Sequence, residues 1–123
     1  MIGLWLPVAV YMSAIFYGAS VSVVPGPVAT VSDTVLHTVG YSGLALVTLR
    51  ALARGRWSNV TRGALVVAWL IAVLHGGAVE WMQMYVPGRT AEWRDLGNDA
   101  VGAVVGLGAA WAWGIMSRAS LAD

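Results

Sequence analysis

Residues 80–106 read EWMQMYVPGRTAEWRDLGNDAVGAVVG and join two apolar runs through a polar connector. Glu80, Gln83, Arg89, Glu92, Arg94, Asp95, Asn98 and Asp99 crowd into its first twenty residues, in a chain that is otherwise mostly apolar. Pro87-Gly88 cannot continue a helix, because proline lacks the amide donor and glycine favours turns. The stretch therefore predicts one helix ending near Tyr85, a short loop, and a second helix from about Asp95.

Working outward, the whole chain has the composition of a membrane protein. It is 123 residues long and 59% hydrophobic, with a mean hydropathy of +0.73, well above a soluble globular chain. It has no cysteine, which excludes disulfides, thiolate metal sites and cysteine nucleophiles. No contiguous basic face or aromatic-basic interleaving supports nucleic-acid binding.

Residues 4–24 carry no charge, and about twenty residues at roughly 1.5 Å each cover the roughly 30 Å hydrocarbon core. A cleaved signal peptide is the alternative for this segment, but Met1-Ile2-Gly3 has no positive side chain and further spans follow. Pro25-Gly26-Pro27 stops the first helix, and Ser32 or Asp33 is placed to cap the second, at about 34–53. The third is expected at about 63–85 and the fourth at about 95–116. The expected fold is an all-α integral membrane bundle of four transmembrane helices forming a single domain.

Arginine distribution orients it. Arg50, Arg54, Arg56, Arg62 and Arg118, with Asp123, give one set of helix ends a net charge of +4. The opposite ends carry Asp33, Glu80, Glu92, Asp95, Asp99, Arg89 and Arg94, a net −3. Arginine's bias toward cytoplasmic loops places both termini inside and the acidic loops outside, in a multi-pass protein of the inner (plasma) membrane. Trp5, Trp57, Trp81 and Trp93 fall near span boundaries, as interfacial tryptophans do. Asn59-Val60-Thr61 forms a glycosylation sequon on the inner side, where it has no meaning.

Depth arithmetic gathers the polar groups. Glu80 stands eighteen residues beyond Arg62, about 27 Å along its helix, and His37 one turn, about 6 Å, below Asp33. Spacing then selects faces. Asp33, His37 and Tyr41 share one face of the second helix, Gly76, Glu80 and Gln83 one of the third, and Asp95, Asp99, Gly102 and Gly106 one of the fourth. Gly102 and Gly106 form a small-xxx-small pattern that admits a neighbouring backbone. Ionisable groups within a span are costly and mark function by default. Solvation at the edge is the plainer reading of Glu80, helix–helix hydrogen bonding that of His75, and first-turn capping that of Asp95.

Glu80-x-x-Gln83, Pro87-Gly88-Arg89, Asp95 and Gly102, in that order, resemble the signature of VanZ-like membrane proteins. Asp33-Thr34-x-x-His37-x-x-x-Tyr41 resembles that family's other motif, Asp-Lys-x-x-His followed by Tyr. The resemblance covers about residues 30–108. Two departures stand out: Thr34 replaces the usual lysine, and Asp99, beside Asn98, stands where asparagine is usual. Both make the site more negative. The resemblance implies a small envelope protein; the family takes its name from a member associated with low-level teicoplanin resistance.

Three functions stay open. The first is a non-enzymatic envelope protein whose outer polar site affects cell-wall precursors or glycopeptide susceptibility. The second is an enzyme acting on a lipid-linked substrate, with Glu80, His37 and Asp95 as catalytic candidates. The third is a small ion or lipid transporter using Glu80 and His75 as relay groups. Arg89, Gln83, Asp33, Tyr41, Asn98 and Asp99 are candidate binding residues, Arg89 because guanidinium suits carboxylate or phosphate. Gly102 and Gly106 are packing residues. No cofactor and no dedicated metal site is assigned, although acids and histidines together also suit a divalent cation. The partners expected are the bilayer and a lipid-linked or cell-wall precursor.

Overall fold

A computed structural model describes residues 1–22 and 26–120. Four α-helices, α1 (Ile2–Ser20), α2 (Asp33–Leu52), α3 (Arg62–Gln83) and α4 (Trp93–Ala119), are joined by connectors that include short 3-10 turns at Gly26–Thr30 and Trp57–Asn59. There is no strand among the described residues, and all four helices are long and apolar enough to cross a membrane.

The helix ends follow local chemistry. Ser32 caps α2 by accepting the Val35 amide at 3.3 Å, and Thr61 caps α3 by accepting that of Ala64 at 3.1 Å. α1 ends at Ser20, earlier than composition suggests, because Val21 is extended at φ −85° and ψ 138°. The expected end of this span at Val24, and Pro25 of the turn, lie outside the described residues, as does Asp123. α3 stops at Gln83 rather than Tyr85, as the chain tightens through Tyr85 N–H to Met82 and Val86 N–H to Gln83. Gly88, at φ +78°, then turns the chain in a conformation that side chains disfavour.

Successive helices run in opposite directions. At one end, Arg118 donates to the Val60 carbonyl at 2.8 Å, tying the end of α4 to the α2–α3 connector. At the other, Arg89 donates to the Gly18 and Val21 carbonyls, tying the α3–α4 connector to the end of α1. The most extensive helix pair is α2 with α4, while α1 packs on α2 and α3.

The α2–α4 seam is close because α4 presents glycine there. A Cβ on Gly102 would collide with the Thr38 backbone, and one on Gly106 would come within 2.7 Å of the Ser42 carbonyl. Around this seam, Leu44, Ala45 and Leu49 meet Ala103, Leu107 and Ala110, with Ala68 and Ala72 from α3. Large apolar side chains face outward on every helix, including Leu6, Val39, Leu74 and Val104. In a bilayer that surface meets acyl chains and needs no protein cover.

The glycine seam makes a paired prediction. Gly102→Ala should lower the thermal stability of the detergent-solubilised protein, because forcing a methyl against backbone costs about 1–3 kcal/mol. Gly108→Ala meets nothing within 4 Å and should be neutral or stabilising by up to about 1 kcal/mol. Equal melting temperatures for the two variants would contradict this packing.

Candidate functional site

The glycine stripe of α4 also aims its carboxylates. Asp99 and Asp95 continue the Gly102–Gly106 face by one and two turns, so both point at α2, where His37 stands. Asp99 is 1% exposed and seated beside Gly76, where any side chain would strike its carboxylate. One small residue on α3 thus makes room for the acid that α4 delivers.

His37 lies at the centre. Its Nδ1 donates to Asp99 Oδ1 at 2.6 Å, since an ionised carboxylate oxygen only accepts. The other nitrogen, Nε2, stands 3.7 Å from Asp95 Oδ2, too far for a hydrogen bond. Glu80 approaches from α3: ligand atoms of His37, Glu80 and Asp95 all lie within 4.8 Å of one another. Glu80 Oε2 accepts the Glu92 backbone amide at 2.9 Å, so this acid also holds the start of α4. That contact satisfies the amide just before the first turn and lets α4 begin at Trp93, earlier than the expected Asp95.

A second chain of bonds runs beneath. The Met12 carbonyl lies 3.2 Å from His75 Nε2 and can only accept, so Nε2 carries the proton of a neutral ring and Nδ1 accepts from Tyr41 at 3.1 Å. Tyr41 lies nearly parallel to His37, with 6.2 Å between ring centroids. Tyr41 therefore braces the catalytic candidate His37 while His75 serves helix–helix hydrogen bonding.

The remaining candidates separate. Gln83 is buried and donates to the Ala19 carbonyl at 3.4 Å. Arg89 directs Nε to Val21 at 3.1 Å and Nη2 to Gly18 at 3.2 Å, so that edge of its guanidinium caps α1 instead of facing outward for an anion. Asp33 is exposed at the rim, outside the hydrogen-bonded cluster. Asn98 has a buried Nδ2 with no partner, and it is Asp99, not Asn98, that meets His37.

Two cavities flank the cluster. One, of about 650 Å³, opens between α1 and α2, with Gly18, Ala19, Leu36, His37, Tyr41 and Arg89 among its walls. The other, of about 780 Å³, lies against the α3–α4 connector and is lined by Glu80, Trp81, Met84, Arg89, Trp93 and Leu96. Trp81 and Trp93 are highly exposed at this end, as interfacial anchors are.

Sequence reasoning missed the part played by α1. Its contributions are backbone carbonyls, of Met12, Gly18, Ala19 and Val21, and a carbonyl has no residue-type signature. Gly76 as the seat of Asp99 was likewise invisible, although its sharing a helical face with Glu80 was a usable hint.

Arg89 as the latch of α1 is testable by hydrogen exchange. Arg89→Ala should speed amide exchange around the last turn of α1 by about tenfold, if the lost bonds are worth about 1–1.5 kcal/mol. Exchange in the α2–α4 core should stay unchanged. Uniform acceleration across all four helices, or none, would refute a local latch.

Neither the curated proteins nor the solved structures include a match to this chain. The model of the VanZ/LLP1 family matches residues 2–115, nearly the whole chain. With its four membrane-length helices, the chain is a multi-pass membrane protein belonging to the VanZ/LLP1 family.

Proposed function

We propose that this protein is a membrane enzyme of the cell envelope acting on a lipid-linked substrate at the outer membrane surface. The observation that carries the reading is the Asp99–His37 pair, 2.6 Å apart, standing at the wall of a largely apolar cavity. A buried carboxylate behind an imidazole fixes its tautomer and leaves the far nitrogen free to move a proton. The α1–α2 cavity suits an apolar chain, and His37 at its wall suits the adjoining head group. Glu80, close to His37, supplies a second proton-transfer group, and Asp95 supports the charge on the imidazole.

Removing an acid–base group typically costs about 10²–10⁴-fold in rate. His37→Ala and Glu80→Gln strains, at equal protein levels, should therefore accumulate a lipid-linked envelope intermediate that the wild type consumes. Lipid profiles indistinguishable from wild type in both strains would defeat the enzymatic reading.

A second reading is favoured by a different observation. Tyr41, His75, Gln83 and Arg89 all spend donors within the bundle, as a structural network would. On that reading the protein is a non-enzymatic envelope component that alters glycopeptide susceptibility. Gene deletion should then change teicoplanin susceptibility, while the His37→Ala strain should not. The transporter reading has less support: the core below the cluster, among the described residues, is lined by Leu44, Ala45, Leu49, Ala68 and Ala72, and the Thr48 hydroxyl there donates back to Leu44 at 2.8 Å.

Orientation is proposed from the arginines, with both termini cytoplasmic. Because the chain has no cysteine, single replacements report cleanly. Thr90→Cys should react with an impermeant maleimide in intact cells, and Ser58→Cys only after permeabilisation. The reverse pattern would invert the topology.

A further inference from the structure

Three carboxylates, Glu80, Asp95 and Asp99, converge on one imidazole at the polar end of the bundle. Among the described residues, no arginine forms an ion pair with any of them: Arg89 is turned to the α1 carbonyls and Arg94 pairs with Glu92 in solvent. Buried negative charge without a counter-charge is strongly unfavourable. The cluster is electrostatically incomplete.

Its geometry indicates what completes it. Glu80 is only 8% exposed, its carboxylate stands among the ligand atoms, and Oε1 is buried with no hydrogen-bond partner. His37 gives Nδ1–H to Asp99, and in the neutral ring Nε2, the nitrogen beside Asp95, then keeps its lone pair; Glu80 belongs to the same close group. A carboxylate behind a histidine that presents its other nitrogen is the usual outer support of a metal ligand. The 3.7 Å from Nε2 to Asp95 Oδ2 is too long for a hydrogen bond. Two donors each about 2.0–2.2 Å from one ion stand roughly 3–3.5 Å apart, so a shift of a few tenths of an ångström brings the pair onto a common ion.

We propose that His37 Nε2, Glu80 and Asp95 bind one divalent cation of the Zn²⁺ or Mn²⁺ class, with Asp99 fixing the imidazole from behind. One nitrogen with two carboxylates matches these ions better than Ca²⁺ or Mg²⁺, which take oxygen sets. Three protein ligands leave positions open for water or a head-group oxygen, as in catalytic sites rather than structural ones. With the ion bound, Nε2 is a ligand, and proton transfer passes to water in those open positions. Ion binding requires no substrate, so the inference stands or falls apart from the lipid-substrate reading.

The experiment uses the full-length chain in detergent, stripped with chelator and titrated separately with Zn²⁺, Mn²⁺, Ca²⁺ and Mg²⁺ while bound metal and thermal unfolding are followed. One Zn²⁺ or Mn²⁺ per chain, with a raised unfolding temperature, is expected. Co²⁺ substitution should give a visible d–d spectrum that is lost in His37→Ala. Glu80→Gln and Asp95→Asn should each weaken binding at least tenfold, and Asp99→Asn about 10–100-fold, as outer supports do. Ser117→Ala, at the opposite end of α4, should leave it unchanged. Should variants fail to fold, the wild-type titration and Co²⁺ spectrum decide alone. No stoichiometric ion at micromolar concentration, preference for Ca²⁺ or Mg²⁺, or binding indifferent to His37 and Glu80 would overturn the assignment.

Discussion

The close approach of α2 and α4 is the constraint on which the rest of the molecule depends. Thr38 and Ser42 lie against Gly102 and Gly106, where no side chain would fit. In a bilayer, helices gain little from hiding apolar surface, so intimate van der Waals contact must supply the association. Glycine permits it, and the same contact fixes how far Asp99 reaches. One turn toward the polar end, that reach ends 2.6 Å from His37. Packing and chemistry are thus set by a single stripe on α4.

Around that seam, the polar groups divide into two populations. Tyr41, His75, Gln83 and Arg89 complete their bonding inside the bundle, largely on the backbone carbonyls of α1. These residues bind a weakly buried helix, with Val8 its one fully covered residue, to the α2–α4 core. The second population is left incomplete: Glu80 Oε1, Asp99 Oδ2 and Asn98 Nδ2 are buried without partners. Groups in low dielectric are rarely left so, because each costs about 1–3 kcal/mol. Two of the three, Glu80 and Asp99, gather around His37, and one cavity opens beside His37 and the other beside Glu80.

Residue type and spacing made much of this legible. Four apolar runs, punctuated by Pro and Gly, made four membrane-length helices foreseeable, and their ends differ from expectation by a few residues where capping intervenes. Helical periodicity placed Asp95, Asp99, Gly102 and Gly106 on one face, and that face does meet α2. Periodicity could not say which of Asn98 and Asp99 faces His37 without knowing how α4 is rotated. Nor could it reveal that Arg89, attractive as an anion receptor, spends one edge on α1.

By itself, then, the sequence determined the class, the number of membrane-length helices, the level of each polar group along its own helix and the family motifs, because hydropathy and helical rise are properties of the chain alone. Only the tertiary structure decided which polar groups touch. Contact depends on the rotation and separation of neighbouring helices, and these follow from where glycine lets backbones meet. It also decided which atoms remain unpaired, since backbone carbonyls of a distant helix, silent in sequence, satisfy some side chains and leave Glu80 and Asp99 with an oxygen each to spare.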